Sequence, residues 1–306
     1  MKLSALRAAE LASPKQQRNW DWRAAANFIC GGAGGGLLFC AAFAGLGPVA
    51  MRAAVLLGLA LIGCGLTCVW FEIGRPWRAL NVYRHIASSW MTREAIVALF
   101  VFAAGGLALL TAHVLLIVLA GILGLGFLYS QARILAANKG IPAWRHPRSI
   151  PLMVATGLAE GAGFLACVLS LSPDGVGVPL LAGLIVLIGI RTFFWKAYFG
   201  ALQADGAPDG TLKALGAMAP RLLLVGHALP AVAAIAALAG MPGRAGLAFA
   251  AGTLTVGGGW LLKYTLVRRA AYTQGLAVQR IPVRGQGAAG PAAKPGWKVV
   301  SGGKAS

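Results

Sequence analysis

Charged residues, and acidic ones above all, are scarce in this sequence of 306 residues. Only 8 residues are Asp or Glu, charged residues make up 11% of the chain, and 58% of it is hydrophobic. The mean hydropathy is +0.75. Soluble globular domains contain about 25% charged residues, so this composition excludes a soluble enzyme. The sequence therefore predicts an integral membrane protein.

Cysteine and histidine are also few. The five cysteines fall inside apolar runs and lack the close spacing that holds an iron-sulfur cluster. Of the four histidines, only His227 lies well inside an apolar run, whereas a membrane haem typically needs two facing histidines. We therefore expect no haem, no iron-sulfur cluster and no other metal in this chain.

Apolar runs of about 20 residues, long enough to cross a bilayer as a helix, occur eight times. They are Ala24–Leu46, Ala53–Phe71, Thr92–Ala112, Val114–Ala132, Ile150–Leu171, Val178–Ala201, Leu222–Leu238 and Ala245–Leu266. The runs are apolar on all faces, which excludes barrel strands. The predicted fold is an all-α polytopic membrane protein with eight transmembrane helices, arranged as two four-helix bundles.

The basic residues indicate the orientation. Of the 27 lysines and arginines, 24 fall in the terminal segments and the even-numbered loops or near the span ends that adjoin them, Lys196 included. The positive-inside rule therefore places both termini and those loops in the cytoplasm. We interpret the net charge of +19 as this topology signal and expect no nucleic-acid partner.

The chain divides into three parts by composition: a cytoplasmic segment 1–23, a membrane domain 24–270 and a basic tail 271–306. The first segment has no short apolar region or cleavage site, so we expect no cleaved signal peptide. The tail is rich in Gly, Pro and Lys. Three interpretations stay open for it: disorder, contact with an acidic partner surface, or contact with the anionic membrane face.

Charged residues inside the spans are costly in lipid and so are informative. Glu160 and Arg191 lie at matching depths in consecutive antiparallel spans, which predicts that they pair, with His227 of the next span as a third member. The pair either serves packing alone or forms a proton-conducting or conformational element. The run GGAGGG, Gly31 to Gly36, has no preceding strand and predicts close helix packing instead of a phosphate site.

A second polar set gathers at the cytoplasmic boundary, around the stretch FEIGRPWRALNVYRHIASSW. Asn27, Glu72 and Tyr129 combine a titratable group with hydrogen-bond donors at a depth that a quinone head can reach from the lipid. Quinone reduction requires polar partners for two carbonyl oxygens and a group that relays protons. The other members of the set are Trp90, Arg93, Glu94 and Gln131.

Two stretches resemble the DmsC/NrfD family of membrane anchors. FEIGRPWRALNVYRHIASSWMTREA is similar to the family's Gly-(Arg/Ser)-Pro-x-Arg-Ala loop and its following Ser-Trp-x-x-Arg-Glu-like segment. YSQARILAANKGIPAWRHPRSIPLMVATGLAEG, from Tyr129 to Gly161, is similar to its Lys-Gly-Ile-Pro-x-Trp loop and next helix. The likeness extends to the number and spacing of the spans.

The resemblance implies a quinone-reactive subunit of a bacterial inner-membrane complex, of the kind used in anaerobic respiration. Its partners would be a ferredoxin-like iron-sulfur subunit and a molybdopterin catalytic subunit, and its mobile cofactor ubiquinone or menaquinone. Many relatives have a His two residues before the Gly of the loop motif, where this chain has Glu72. Glu72 is therefore the candidate proton relay, although the role of the His does not transfer directly.

The remaining site residues follow from the same resemblance. Asn27, Tyr129, Trp90 and Arg75 are expected to line the quinone site with Glu72. The arginines are expected mainly to hold the partner subunit or to pair with Glu94. The predicted partner-binding residues are Arg78, Arg84, Arg93, Arg133, Lys139 and Arg145.

Because the charge pattern puts the partner-facing loops in the cytoplasm, we expect a cytoplasmic substrate. Among relatives the chain looks most like the anchors of phenylacetyl-CoA:acceptor oxidoreductases, with cytoplasmic sulfite:quinone oxidoreductases as a neighbouring possibility. Two other classes stay open: a secondary transporter, which an inverted repeat would support, and a passive structural anchor whose redox partner meets quinone elsewhere.

Overall fold

A computed structural model of the chain describes residues 13–72, 86–87 and 89–275. In this part of the chain, eight helices are long and apolar enough to cross a membrane. They are α1 (Trp22–Ala42), α2 (Pro48–Glu72), α3 (Trp90–Thr111), α4 (Val114–Ala137), α5 (Ser149–Ser170), α6 (Val178–Ala204), α7 (Asp209–Leu238) and α8 (Arg244–Arg269). The predicted all-α fold with eight spans is confirmed.

The observed ends of the helices agree closely with the predicted ends of the apolar runs, except in α7. This helix begins at Asp209, thirteen residues before the predicted start, because the segment Asp209–Arg221 is helical but amphipathic. A search for uniformly apolar runs does not detect such a segment. A short helix, Pro142–Arg145, lies between α4 and α5.

The helices form two groups of four. Helices α1 to α4 pack mainly with one another, as do α5 to α8, and α1 against α5 is the principal contact between the groups. Accordingly, α1 and α5 are the most enclosed spans, each with 72% of its apolar window buried. The boundary between the two groups is therefore made by the first helix of each.

Glycine lets α1 approach three helices at once. Methyl groups placed at Gly34, Gly35 and Gly36 would collide with backbone carbonyl oxygens of neighbouring helices. Those carbonyls belong to Gly58 in α2, Gly124 in α4 and Gly157 in α5. The glycine run thus serves close helix packing, as predicted.

The two ends of the described chain pair with each other. The Gln17 amide donates to the Ala271 carbonyl and the Thr273 amide to the Lys15 carbonyl, each at 2.8 Å. Both ends therefore lie at the same end of the bundle, as an even number of crossings requires. That this end faces the cytoplasm stays a prediction, and residues 276–306 of the proposed tail lie outside the described residues.

Candidate functional site

Three of the membrane helices contain a π-helical turn. These turns are Asn27–Gly31 in α1, Leu222–Ala228 in α7 and Thr265–Arg269 in α8. A π turn shifts the backbone hydrogen bonds by one residue and is frequent at functional sites. In α1 the turn begins at Asn27, whose carbonyl oxygen accepts a hydrogen bond from Gln131 Nε2 of α4 at 3.0 Å.

Asn27, Glu94 and Gln131 form a buried polar cluster, which we call the amide-carboxyl cluster. They come from α1, α3 and α4 and are 5%, 6% and 0% exposed. The Glu94 carboxyl group lies against the side-chain amides of the other two. One oxygen of each side chain has no hydrogen-bond partner among the described residues. Buried polar atoms in this state require water or a ligand.

A second cluster of aromatic and basic side chains lies nearer the ends of α3 and α4. The rings of Trp90 and Tyr129 meet edge to face, 5.9 Å apart. The guanidinium carbons of Arg93 and Arg133 lie 4.3 and 4.5 Å from the Trp90 ring centroid. Arg133 also donates to the Tyr129 hydroxyl at 2.9 Å. Since Tyr129 is 40% exposed, its own hydroxyl proton is free to point away from the protein.

Glu72 lies at the rim, where α1 begins and α2 ends. Asp21 caps α1 by accepting from the Arg23 backbone amide at 2.7 Å, and its carboxylate pairs with the Arg23 guanidinium at 2.8 Å. The hydrogen bond from Arg23 lowers the pKa of Asp21. Glu72 adjoins both residues, and Arg23 also donates to the Phe71 carbonyl at 2.6 Å.

Glu72 and Asn27 lie at different levels of the seam between α1 and α2. Asn27 faces Gly65, which precedes Glu72 by seven residues, or about 10 Å along the helix. The described contacts therefore do not bring Glu72 to Asn27 or to Tyr129. Arg75 of the predicted quinone site lies outside the described residues, as do Arg78 and Arg84 of the predicted partner-binding set.

The other predicted partner-binding residues make contacts within the chain. Arg93 donates to the Ile86 and Ala87 carbonyls at 3.0 and 2.7 Å, so the expected pairing of arginine with Glu94 is not seen among the described residues. Arg145 donates to the Lys139 carbonyl at 2.7 Å and to Gln274.

Beside Arg145 a cavity of about 240 Å³ opens between the short helix and the end of α6. His146 and Asp205 line it and lie 3.3 Å apart. Burial lowers the pKa of His146, and the neighbouring Asp205 partly opposes this effect.

The prediction that Glu160 and Arg191 pair directly is wrong. Glu160 Oε2 instead accepts a hydrogen bond from Lys263 Nζ of α8 at 2.5 Å, and both side chains are fully buried. Lys263 was missed because the topology count assigned it to the C-terminal tail. Its position inside the predicted eighth span was the available signal, since a lysine there needs a partner.

Arg191 pairs with neutral groups of α7 and α8. Its Nε donates to His227 Nε2 at 2.9 Å, one terminal nitrogen to the Thr255 carbonyl at 2.9 Å, and the other to the Gly226 carbonyl. Pro230 has no N–H for the Gly226 carbonyl four residues earlier, so Arg191 supplies a donor in its place. His227, the expected third member of the group, thus contacts Arg191.

No group of three or more His, Cys, Asp or Glu side chains within residues 13–72, 86–87 and 89–275 is arranged to hold a metal ion. The five cysteines are free thiols. The polar groups of the described chain thus gather near the end of the bundle where the two described chain ends pair, and along the contact between its two halves.

The fold and these clusters define a class: a multi-pass α-helical membrane protein with a polar site near one end of its bundle. The family of the DMSO reductase anchor subunit (DmsC) matches residues 48–193. The match confirms the DmsC/NrfD-type resemblance over that part of the chain. It covers α2 to most of α6 and so includes Glu72, Glu94, Tyr129 and Glu160. No curated protein matches the chain, and the closer likeness to phenylacetyl-CoA:acceptor oxidoreductase anchors finds no support.

Proposed function

We propose that this chain passes electrons between an iron-sulfur partner subunit and membrane quinone. The quinone head would bind where the amide-carboxyl cluster and the Trp90–Tyr129 pair adjoin. The observation that carries the proposal is the convergence of α1, α3 and α4 on buried polar atoms without described partners, in a chain that matches an anchor family.

The donors and acceptors present suit a quinone head. Its two carbonyl oxygens need hydrogen-bond donors, and its ring needs an apolar or aromatic wall. The Tyr129 hydroxyl, which accepts from Arg133, is free to donate its own proton to one oxygen. The Asn27 amide nitrogen has two N–H donors, one for Glu94 and one for the other quinone oxygen. Trp90 supplies an aromatic surface.

Bound quinone would supply the redox chemistry: two electrons and two protons convert its two carbonyl groups into the hydroxyl groups of quinol. The chain contributes the binding groups and the proton path. Glu94 is placed to exchange a proton inside the site because its carboxyl group adjoins both amides. Glu72, two helical turns nearer the end of α2, is placed to exchange protons between this site and water.

The partner subunits would dock at the end of the bundle where the two ends of the described chain pair. Lys139 and Arg145 are exposed there, and the described parts of α2 and α3 that flank Arg75, Arg78 and Arg84 in the sequence end and begin on the same side. We propose that the partners are a ferredoxin-like iron-sulfur subunit and a molybdopterin catalytic subunit. We further propose that this face is the cytoplasmic side of a bacterial inner membrane, and that the complex reduces quinone while it oxidises a cytoplasmic substrate.

The test uses the purified complex, with reduced benzyl viologen as electron donor and decyl-ubiquinone or a menaquinone analogue as acceptor. Replacing Tyr129→Phe removes one hydrogen bond to the quinone and should raise the KM for the analogue roughly tenfold. Tyr264→Phe is the matched control, because the Tyr264 ring lies 5.6 Å from the Arg269 guanidinium carbon on α8, a helix that contributes no residue to the proposed quinone site. An unchanged KM in Tyr129→Phe and in Asn27→Ala would refute the site.

The two other classes predict different results. A passive anchor would give an intact complex whose turnover is unaffected by any of these substitutions, Glu72→Gln included. A lone transporter would purify without iron-sulfur absorbance. Either result would overturn the proposed function.

A further inference from the structure

The buried polar side chains form a continuous line across the two halves of the bundle. Thr255, Gly259 and Lys263 are spaced four residues apart and so share one face of α8. Lys263 donates to the Glu160 carboxyl group, which also lies against Gly259, where a methyl group would overlap it. One turn further along, the Thr255 carbonyl accepts from Arg191.

Gly32 joins this line to the amide-carboxyl cluster. A methyl group at Gly32 would lie 2.5 Å from Lys263 Nζ and 3.3 Å from Gln131 Oε1. The two atoms are therefore less than about 6 Å apart, a gap that a single water molecule can bridge. Glycine at this position leaves room for both polar groups.

Acceptor atoms without described partners occur all along the line. They are Asn27 Oδ1, Glu94 Oε1, Gln131 Oε1 and Glu160 Oε1, each buried and without a hydrogen-bond partner among the described residues. Four such oxygens in neighbouring positions are costly to leave unsatisfied. Buried water typically makes about three hydrogen bonds to groups of this kind.

We infer that Glu160, held by Lys263, is a buried protonation site that exchanges protons with the quinone site through water beside Gln131. This role rests on the proposed function and deepens it. Glu160 lies eleven residues into α5, about 16 Å from its start, so it is a proton store within the membrane. A proton from the aqueous phase, which passes through the quinone site, would restore the Glu160 acid.

The proton balance is simple. Reduction of one quinone consumes two electrons, which the iron-sulfur partner supplies, and two protons. Glu160 as a carboxylic acid gives up one of these protons, which passes through the water beside Gln131 to Glu94 and then to a quinone carbonyl oxygen. The other proton comes from the aqueous phase by way of Glu72. After quinol leaves, a proton from the aqueous phase returns along the same path and restores the Glu160 acid.

Other titratable or charged side chains face this line from the helices packed around it. They are Cys30 of α1, Glu94 of α3, Arg191 of α6 and His227 of α7. The thiol of Cys30 and the neutral ring of His227 add no charge. Two cations, Lys263 and Arg191, balance the two carboxyl groups when both are ionised, so Lys263 can stabilise the Glu160 carboxylate once its proton has left.

The experiment compares quinol formation with proton uptake in the purified complex, using reduced benzyl viologen, decyl-ubiquinone and a pH-sensitive dye. In the unmodified complex, one of the two protons should be taken up from water later than quinol forms. In Glu160→Gln, both uptakes should coincide with quinol formation, and turnover should fall at least about tenfold. Added azide, a small weak acid that carries protons, should restore part of the rate.

Two further variants separate this role from a structural one. The double variant Glu160→Gln/Lys263→Met removes both charges together and avoids leaving one buried charge unpaired. It should assemble but keep the slow turnover. Thr156→Val lies one turn away on α5, where the hydroxyl bonds only its own helix at the Leu152 carbonyl, and it should behave as the unmodified protein.

The outcomes distinguish failure of the proposed function from failure of the proton store at Glu160. If the unmodified complex fails to reduce the quinone analogue, the proposed function itself fails. If it reduces the analogue but takes up both protons together with quinol formation, the proton store alone is refuted. The store is also refuted if the double variant turns over at the normal rate with an unchanged solvent isotope effect.

Discussion

The contact between α1 and α5 at Gly36 gives the most direct test of the fold. A methyl group there would lie 2.6 Å from the Gly157 carbonyl carbon and closer still to its oxygen. Comfortable contacts between carbon atoms begin near 3.5 Å, so Gly36→Ala would force the helices apart by roughly 1 Å. Helix α1 has little room to shift, because methyl groups at Gly34 and Gly35 would lie 2.6 and 2.5 Å from carbonyl oxygens of α2 and α4.

Overpacking of this kind costs about 1–3 kcal/mol. For a chain of this size, that is a fall of roughly 2–5 °C in the melting temperature. The measurement is thermal denaturation of the purified complex in detergent, followed by tryptophan fluorescence and by size-exclusion chromatography. The two helix groups should also lose their contact at a lower temperature than in the unmodified protein.

Gly183→Ala in α6 is the matched control. It makes the same chemical change in a membrane helix, but a methyl group there would meet nothing within 4 Å. Its melting temperature should be unchanged or slightly raised, because alanine favours the helix over glycine. Equal melting temperatures for the two variants would refute the close α1–α5 contact.

Two further predictions concern Arg191 and His146. Arg191→Gln should lower the yield of folded protein severalfold, because the Gly226 carbonyl loses the donor that replaces its missing helical partner. Arg244→Gln removes one hydrogen bond near a helix end and should have little effect, so equal yields of the two variants would contradict this prediction. Because burial lowers the pKa of His146, the folded chain binds fewer protons than the unfolded one, so thermal stability should decline as the pH falls through about 6.5, the ordinary value. Measured melting temperatures should show this decline in the unmodified protein and a smaller one in His146→Gln, and identical pH profiles would contradict it.

Several features of the site could be predicted from the sequence. Glu160 and Arg191 stand out because a charge within an apolar run is rare and costly. Asn27, Glu72 and Tyr129 stand out because polar side chains end or begin apolar runs at one face of the membrane. Such signals lie within a single helix, and hydropathy detects them without knowledge of neighbours.

The pairing of these residues could not be predicted in the same way. Matching depth in consecutive helices suggested Glu160 with Arg191, yet the helix that packs its polar face against α5 is α8, which supplies Lys263. The cluster of Asn27, Glu94 and Gln131 likewise depends on which faces of α1, α3 and α4 meet. A π turn, which frees a carbonyl for Gln131, leaves no clear pattern in the sequence.

The sequence by itself determined that this protein lies in a lipid bilayer and that it is a bundle of eight helices. Scarcity of charge and eight apolar runs require a helical membrane bundle, because only helices satisfy their own backbone in lipid. The tertiary structure decided which buried charges meet, because a helix of uniform hydrophobicity does not specify its rotation or its neighbours. Contacts between small residues such as Gly32, Gly36 and Gly259 set those rotations, and they brought Lys263 to Glu160 and Gln131 to Asn27.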